Sequence, residues 1–164
     1  MAMAKFDGGF GAIRVWSRGE TNHREVRMVE FRLAPRIEAD SLFVLDWPLC
    51  QVRLMDDRRY PWLLLLPRID GLEEWSALSD ADAATLALEA KRAAAAIERH
   101  ARPAKLNVAA LGNIVRQFHL HVVGRFEGDP AWPGPVWGVG SADRHPGADR
   151  DTAVAAWRGR LTEG

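Results

Sequence analysis

Residues 117–123 read Gln117, Phe118, His119, Leu120, His121, Val122, Val123. Polar and apolar side chains alternate with the period of two that marks a β-strand with one face in a core. Phe118, Leu120 and Val122 are predicted to point inward, and Gln117, His119 and His121 to form a polar row on the other face. Imidazole is a nucleophile near neutral pH, and neighbours two residues away along a strand can orient it and touch the same bound anion. The same pattern fits two plainer roles. It could be the solvent face of an antiparallel strand, or it could supply two metal ligands with Glu127, Asp129 or His145 as a distant third, since a catalytic zinc site usually has about three protein ligands.

Working outward, this strand is predicted to run from Val115 to Arg125 and to be preceded by another from Lys105 to Leu111, the two joined by the turn-forming pair Gly112 and Asn113. Arg116 and Arg125 flank the polar row and are read as lying on or near the opposite face. Upstream stands a helix. Ser79 caps it, Asp80 and Asp82 favour its positive end, Leu86, Ala90, Ala93 and Ile97 recur at spacings of three and four, and Pro103 closes it. Leu42 to Pro67 reads as strand, turn, strand. Leu49, Gln51, Arg53 and Met55 oppose Cys50, Val52 and Leu54; Asp56 to Tyr60 form the turn; and Trp62 to Leu66 is an apolar run suited to a strand covered on both faces.

The ends of the chain are less patterned. Residues 1–27 hold Gly8, Gly9, Gly11 and Gly19 with no sustained period, so this stretch is expected to be disordered, or to be an extension preceding a biological start at Met28. Gly128 to Gly140 contains Pro130, Pro133 and Pro135 with Trp132 and Trp137, and is expected to be an ordered aromatic loop that closes a pocket or packs on a second subunit. A weak helix carrying Val154 and Trp157 ends the C-terminal tail, 141–164. Trp47, Trp62 and Trp75 are expected in the core. His23, His100 and His145 lie in or beside polar segments and read as surface residues.

Composition narrows the function classes. The 164 residues suit one domain with a sizeable core, and 48% hydrophobic with 27% charged residues excludes collagen-like, coiled-coil and wholly disordered chains. Lys plus Arg equals Asp plus Glu at 22 each, which argues against holding nucleic acid through phosphate neutralisation. A lone Cys50 forms no internal disulfide, and no apolar run approaches the roughly 20 residues of a membrane span. A cytoplasmic location is expected, with no membrane partner.

With these residues in view, the segment from Asn107 through Gly112 and Asn113 to Gln117, His119, His121 and Val123 resembles the signature of the histidine triad (HIT) superfamily. Trp62 to Pro67 with Arg68 resembles that family's apolar strand ending in Pro and a basic residue, and the likeness covers about residues 31 to 138. It implies an α+β fold over residues 28–140: an antiparallel sheet of about five strands with one long helix and one or two short ones. It also implies a homodimer, no metal and no cofactor.

The resemblance further implies a hydrolase or transferase attacking the α-phosphate of a nucleotide conjugate, a phosphoramidate or dinucleoside polyphosphate, through a nucleotidyl-histidine intermediate. His119 matches the nucleophile and His121 the residue that orients the site and contacts phosphate. Asn107, Gly112 and Asn113 match the loop that holds phosphate and leaving group, while Asp56, with Asp57 beside it, is the candidate for the ribose hydroxyls. Three positions depart from the pattern. Gln117 replaces the first triad histidine, Ile114 stands where many members have Ser or Thr, and Trp62 stands where many have a further histidine. Glutamine can bond a phosphate oxygen but carries no transferable proton, so protonation of the leaving group is the step expected to suffer. A nucleotide-binding or sensing protein with negligible turnover, and a metal-dependent hydrolase, are the alternatives.

Overall fold

The computed structural model describes residues 31–163, so the expectations for residues 1–27 and for a start at Met28 lie outside it. In chain order, α1 (Pro35–Asp40) leads into β1 (Ser41–Asp46), β2 (Cys50–Met55) and β3 (Trp62–Pro67), followed by a 3-10 turn at Trp75–Ala77 and the long helix α2 (Asp80–Ala101). Then come β4 (Lys105–Ala109), β5 (Leu120–Arg125) and α3 (Gly147–Thr162). The strands make one antiparallel sheet in the order β1-β2-β3-β5-β4, the α+β fold expected.

Local chemistry sets these boundaries. Ser79 accepts a hydrogen bond from the Asp82 amide at the start of α2. Arg102 ends that helix in the left-handed region at φ 50°, before Pro103. The segment from Leu42, expected to be one strand, divides at Trp47-Pro48-Leu49, because Glu89 of α2 holds the turn. Its carboxylate accepts from the Leu49 amide at 2.9 Å and the Cys50 amide at 3.0 Å. The strand expected from Val115 starts only at Leu120; the Phe118 amide donates instead to Leu72 O, which draws this part of the chain away from the sheet ladder.

Alternation along the strands divides the core. One face, carrying Val52, Leu54, Leu63, Leu65, Leu120 and Val122, packs with Leu86, Ala93 and Ile97 of α2 and with Trp157 and Leu161 of α3. The helix at Trp157 is thus 16 residues long and reaches the core. Gly124 allows α2 to sit close: a Cβ there would lie 2.8 Å from Ile97 Cγ2 and 2.7 Å from Pro61 Cγ. The opposite face carries Trp62, Leu64, Leu66 and Val123, covered by Ile37, Tyr60, Val136 and Trp137 with Phe31, Leu33 and Ala34. Trp47 and Trp62 are buried as expected, but Trp75 is 42% exposed, its ring set edge-on against Phe118.

Two buried carboxylates tie the tail to this frame. Arg125, fully enclosed, donates from Nε and Nη2 to the two oxygens of Asp129, and also to Asn107 Oδ1 and Gly134 O. Asp56 accepts from the His145 amide at 2.9 Å, bonds the His145 ring at 3.0 Å, and accepts from Arg150 at 3.0 Å and Arg144 at 3.5 Å. His145, expected to be an ordinary surface residue, therefore anchors the C-terminal segment.

The Arg125 hydrogen bonds hold the Asp129 carboxyl down at about 2. A carboxyl whose pKa is lower folded than unfolded gives stability above its unfolded value near 4 that is lost as pH falls toward 2. Asp129→Ala leaves an unpaired buried guanidinium and should cost about 3–5 kcal/mol at neutral pH. Urea unfolding at neutral pH and near pH 2.5 checks this: the gap between variant and parent should shrink in acid.

Candidate active site

β5 sets His121 opposite Leu64 of β3 and Ala109 of β4. Trp62, the partner of Val123, is thereby the diagonal neighbour of His121 on the same face, within reach of a long aromatic side chain. Its indole N–H donates to His121 Nδ1 at 3.0 Å. Trp137, from the loop held by Arg125, stands edge-on to the same imidazole, ring centroids 5.3 Å apart, and to Trp62 at 5.9 Å. His119 lies one residue before β5 with its ring centroid 4.8 Å from that of His121. His121 is 4% exposed and His119 9%.

The hydrogen-bond partners assign the protons. A backbone carbonyl only accepts, so the bond of 2.7 Å between His119 Nδ1 and Gln117 O puts a proton on Nδ1, and in the neutral ring the lone pair then lies on Nε2. An indole only donates, so His121 Nδ1 is unprotonated and its proton sits on Nε2. Burial pushes the His121 pKa down to about 3, and the neighbouring His119 adds to the effect. With both rings neutral, the pair presents, side by side, a ring nitrogen with a free lone pair and a ring N–H donor.

Gln117 does not join the histidines as expected. Its side-chain Oε1 accepts from the Ala34 amide at 2.8 Å and its Nε2 donates to Arg32 O at 2.9 Å, so both ends of the amide bind the segment before α1. Asn107 pairs with Val123, and its Oδ1 is taken by Arg125 at 2.7 Å. Gly112 has the positive φ, 73°, that favours glycine, in an open loop with exposed Asn113 and with Ile114 at 89% exposure. Asp56 and Asp57, the ribose candidates, are buried and already engaged, Asp56 as described and Asp57 by Arg59 and the Asp143 amide. Neither offers the free carboxylate that role requires.

Arg125 corrects a second expectation. It is four residues beyond His121, an even offset, and so lies on the histidine face, though its guanidinium is spent on Asp129, Asn107 and Gly134. Arg116 instead pairs with Glu73 at the surface. Trp137 was foreseeable only as a tail aromatic, while the family resemblance marked Trp62 as standing in a further histidine's place without showing its bond to His121. Among the described residues, no group of three His, Cys, Asp or Glu side chains is placed to hold a metal, and no helix is long and apolar enough to cross a membrane.

Comparison with known proteins places these features. The family model described as "HIT domain" matches residues 36–128. A histidine triad protein from Sinorhizobium meliloti is similar at 44% identity, the match covering 81% of this chain and 96% of that one with a TM-score of 0.75. A histidine triad protein from Bradyrhizobium japonicum is similar at 37% identity over 80% and 98% of the two chains, TM-score 0.76. One from Marinobacter aquaeolei shows 36% identity over 80% and 96%, TM-score 0.77. No curated protein matches the sequence.

Gln117→Ala removes the acceptor of the Ala34 amide but keeps the carbonyl that orients His119. Loss of a hydrogen bond worth about 1 kcal/mol should speed exchange of the Ala34 amide by roughly fivefold. Native-state hydrogen exchange checks this, and unchanged protection would mean that Gln117 does not hold the segment.

Proposed function

The chain belongs to the HIT domain family, whose members are commonly nucleotide hydrolases or transferases, and on that premise we propose that it cleaves nucleotide conjugates through a nucleotidyl-His119 intermediate. The observation that supports this most directly is the hydrogen bond from His119 Nδ1 to Gln117 O, which turns Nε2 away from the backbone that leads into β5. Nε2 attacks the α-phosphorus, a phosphorus–nitrogen bond forms, and the bond to the leaving group breaks with its electron pair going to that group. Water then attacks the same phosphorus, the phosphorus–nitrogen bond breaks, and the nucleoside monophosphate departs with His119 restored. A second nucleophile in place of water makes the protein a transferase.

The remaining roles follow from what each group has to offer. His121 Nε2–H donates to a non-bridging phosphate oxygen, and the amides around Gly112 and Asn113 with the Asn107 amide nitrogen receive the phosphate or leaving group. An imidazole nucleophile is ready-made near neutral pH, so the scheme calls for no metal. Because His121 is held neutral and Gln117 has no proton to give, the leaving group departs without an acid from either position.

His119→Ala should retain the fold and lose turnover of dinucleoside polyphosphates and nucleoside phosphoramidates by about three orders of magnitude or more. Steady-state assay with chelator present, and capture of a phosphorus–nitrogen adduct on His119 by rapid acid-free quench and mass spectrometry, check this. Equal activity in variant and parent would take His119 out of the role. Binding of a nucleoside monophosphate with no turnover across the panel would favour the sensing alternative.

A further inference from the structure

Trp62 is almost wholly buried, 5% exposed, yet its one polar atom is not aimed at a backbone carbonyl as a core indole's commonly is. It is spent on His121 Nδ1, at 3.0 Å. The bond crosses from β3 to β5 on the diagonal, and three rings close around the imidazole. Trp62 is tilted against it at 5.5 Å, Trp137 stands edge-on at 5.3 Å and His119 edge-on at 4.8 Å. With Nδ1 taken, the imidazole's remaining polar atom is Nε2, which has no partner among the described residues.

We propose that Trp62 is a positioning residue, its indole N–H fixing His121 in the Nε2–H tautomer so that the ring always offers a donor, never a lone pair, to the phosphate beside His119. This rests on the reading of His119 as nucleophile. The physical point is that an indole is a donor with no acceptor lone pair and no accessible titration, whereas a histidine in its place could donate or accept. The indole itself does not titrate between pH 5 and 8, so the donor it presents to His121 Nδ1 is the same throughout that range. It also keeps His121 uncharged beside the nucleophile, because the proton that would charge the ring would have to sit on the occupied Nδ1. If Nδ1 were free, His121 could take its proton there, turn its Nε2 lone pair toward the phosphate oxygens, and repel the substrate it should bind.

The surrounding charges leave that lock undisturbed. On β5 the titratable neighbour is His119, while Arg125 further along the same face is neutralised by Asp129. β3 contributes Trp62 and Leu64, β4 contributes Ala109, and the covering loop contributes Trp137. On β2, Arg53 stands opposite Leu64, its guanidinium donating to Ser41 Oγ, Ser41 O and Gln51 Oε1.

The experiment is a long-range nitrogen–proton correlation spectrum of the imidazole rings, recorded on the full chain from pH 5 to 8, with and without adenosine monophosphate as probe. In the parent, His121 should show an unprotonated Nδ1 and a protonated Nε2 throughout, with the Nε2 proton shifting when the nucleotide is added. Trp62→Phe, which keeps an aromatic ring and removes the donor, should let His121 populate both tautomers and begin to protonate within that range. Trp62→His should recover part of the Nε2–H form.

In turnover, Trp62→Phe should lower kcat by on the order of tenfold with KM little changed, since full loss of a donor to a developing oxyanion costs about 10²–10³. A parent spectrum with the proton on Nδ1 overturns the proposal without recourse to any variant, so a variant that fails to fold does not shelter it. An unaltered His121 tautomer in folded Trp62→Phe overturns it as well. Absence of turnover in every protein tested would instead count against the nucleophile reading, while the tautomer result stands or falls by the spectra.

Discussion

The ion pair between Arg125 and Asp129 lies at the base of the site, with side-chain exposures of 2% and 3%. Placing two charges in so dry a setting is costly unless every donor and acceptor is answered. Here the answer is complete enough to be architectural. The guanidinium grips both carboxylate oxygens, then reaches Asn107 on β4 and Gly134 in the loop, while Asp129 also accepts from the Phe126 and Ala131 amides. A loop rich in proline and glycine has no ladder of its own to hold it. Bound in this way it lies over the histidine face and brings Trp137 against His121.

From that covering follows the electrostatics of the site. Enclosure by Trp62, Trp137 and His119 removes water from His121, and a desolvated imidazole disfavours its charged form, which is why its pKa lies near 3 rather than near its ordinary value. His119 sits at the margin of the same enclosure, with its Nδ1 proton committed to the Gln117 carbonyl just before β5. Two chemically identical side chains two residues apart thus hold opposite faces of the imidazole repertoire, one a lone pair and the other a donor. Their hydrogen-bond partners set which nitrogen carries the proton, and burial keeps His121 uncharged.

The departures at positions 117 and 62 read differently once the tertiary contacts are known. Gln117 is not a weakened histidine: its amide, with a donor and an acceptor at opposite ends, matches the carbonyl of Arg32 and the N–H of Ala34 as a neighbouring strand would. An imidazole, with one N–H when neutral, could match both only if its ring happened to span them. Trp62 is likewise no bulky obstruction, since it supplies the one hydrogen bond that settles the state of His121. Each replaces a titratable group by one that does not titrate near neutral pH, so the proton inventory around His119 and His121 is smaller than four histidines would give.

The sequence by itself determined the parts of this protein that depend on near neighbours. Alternation placed Phe118, Leu120 and Val122 in the core and His119 and His121 together on the other side, and the Ser79 cap with its apolar spacing fixed α2, because side-chain direction repeats with backbone geometry. The Gly-containing loop and His-x-His row were enough to bring the HIT resemblance into view. Only the tertiary structure decided the bonds between distant residues: Trp62 with His121, 59 residues apart; Gln117 with Arg32, 85 apart; and Asp56 with His145, 89 apart. The first depends on strand register, since a change of one residue would send Trp62 or His121 to the other side of the sheet, and the other two depend on which segment outside the strands covers which face. Asp56 looked like a free turn carboxylate for the same reason, since nothing local to it reveals that α3 and the segment before it fold back to claim its oxygens.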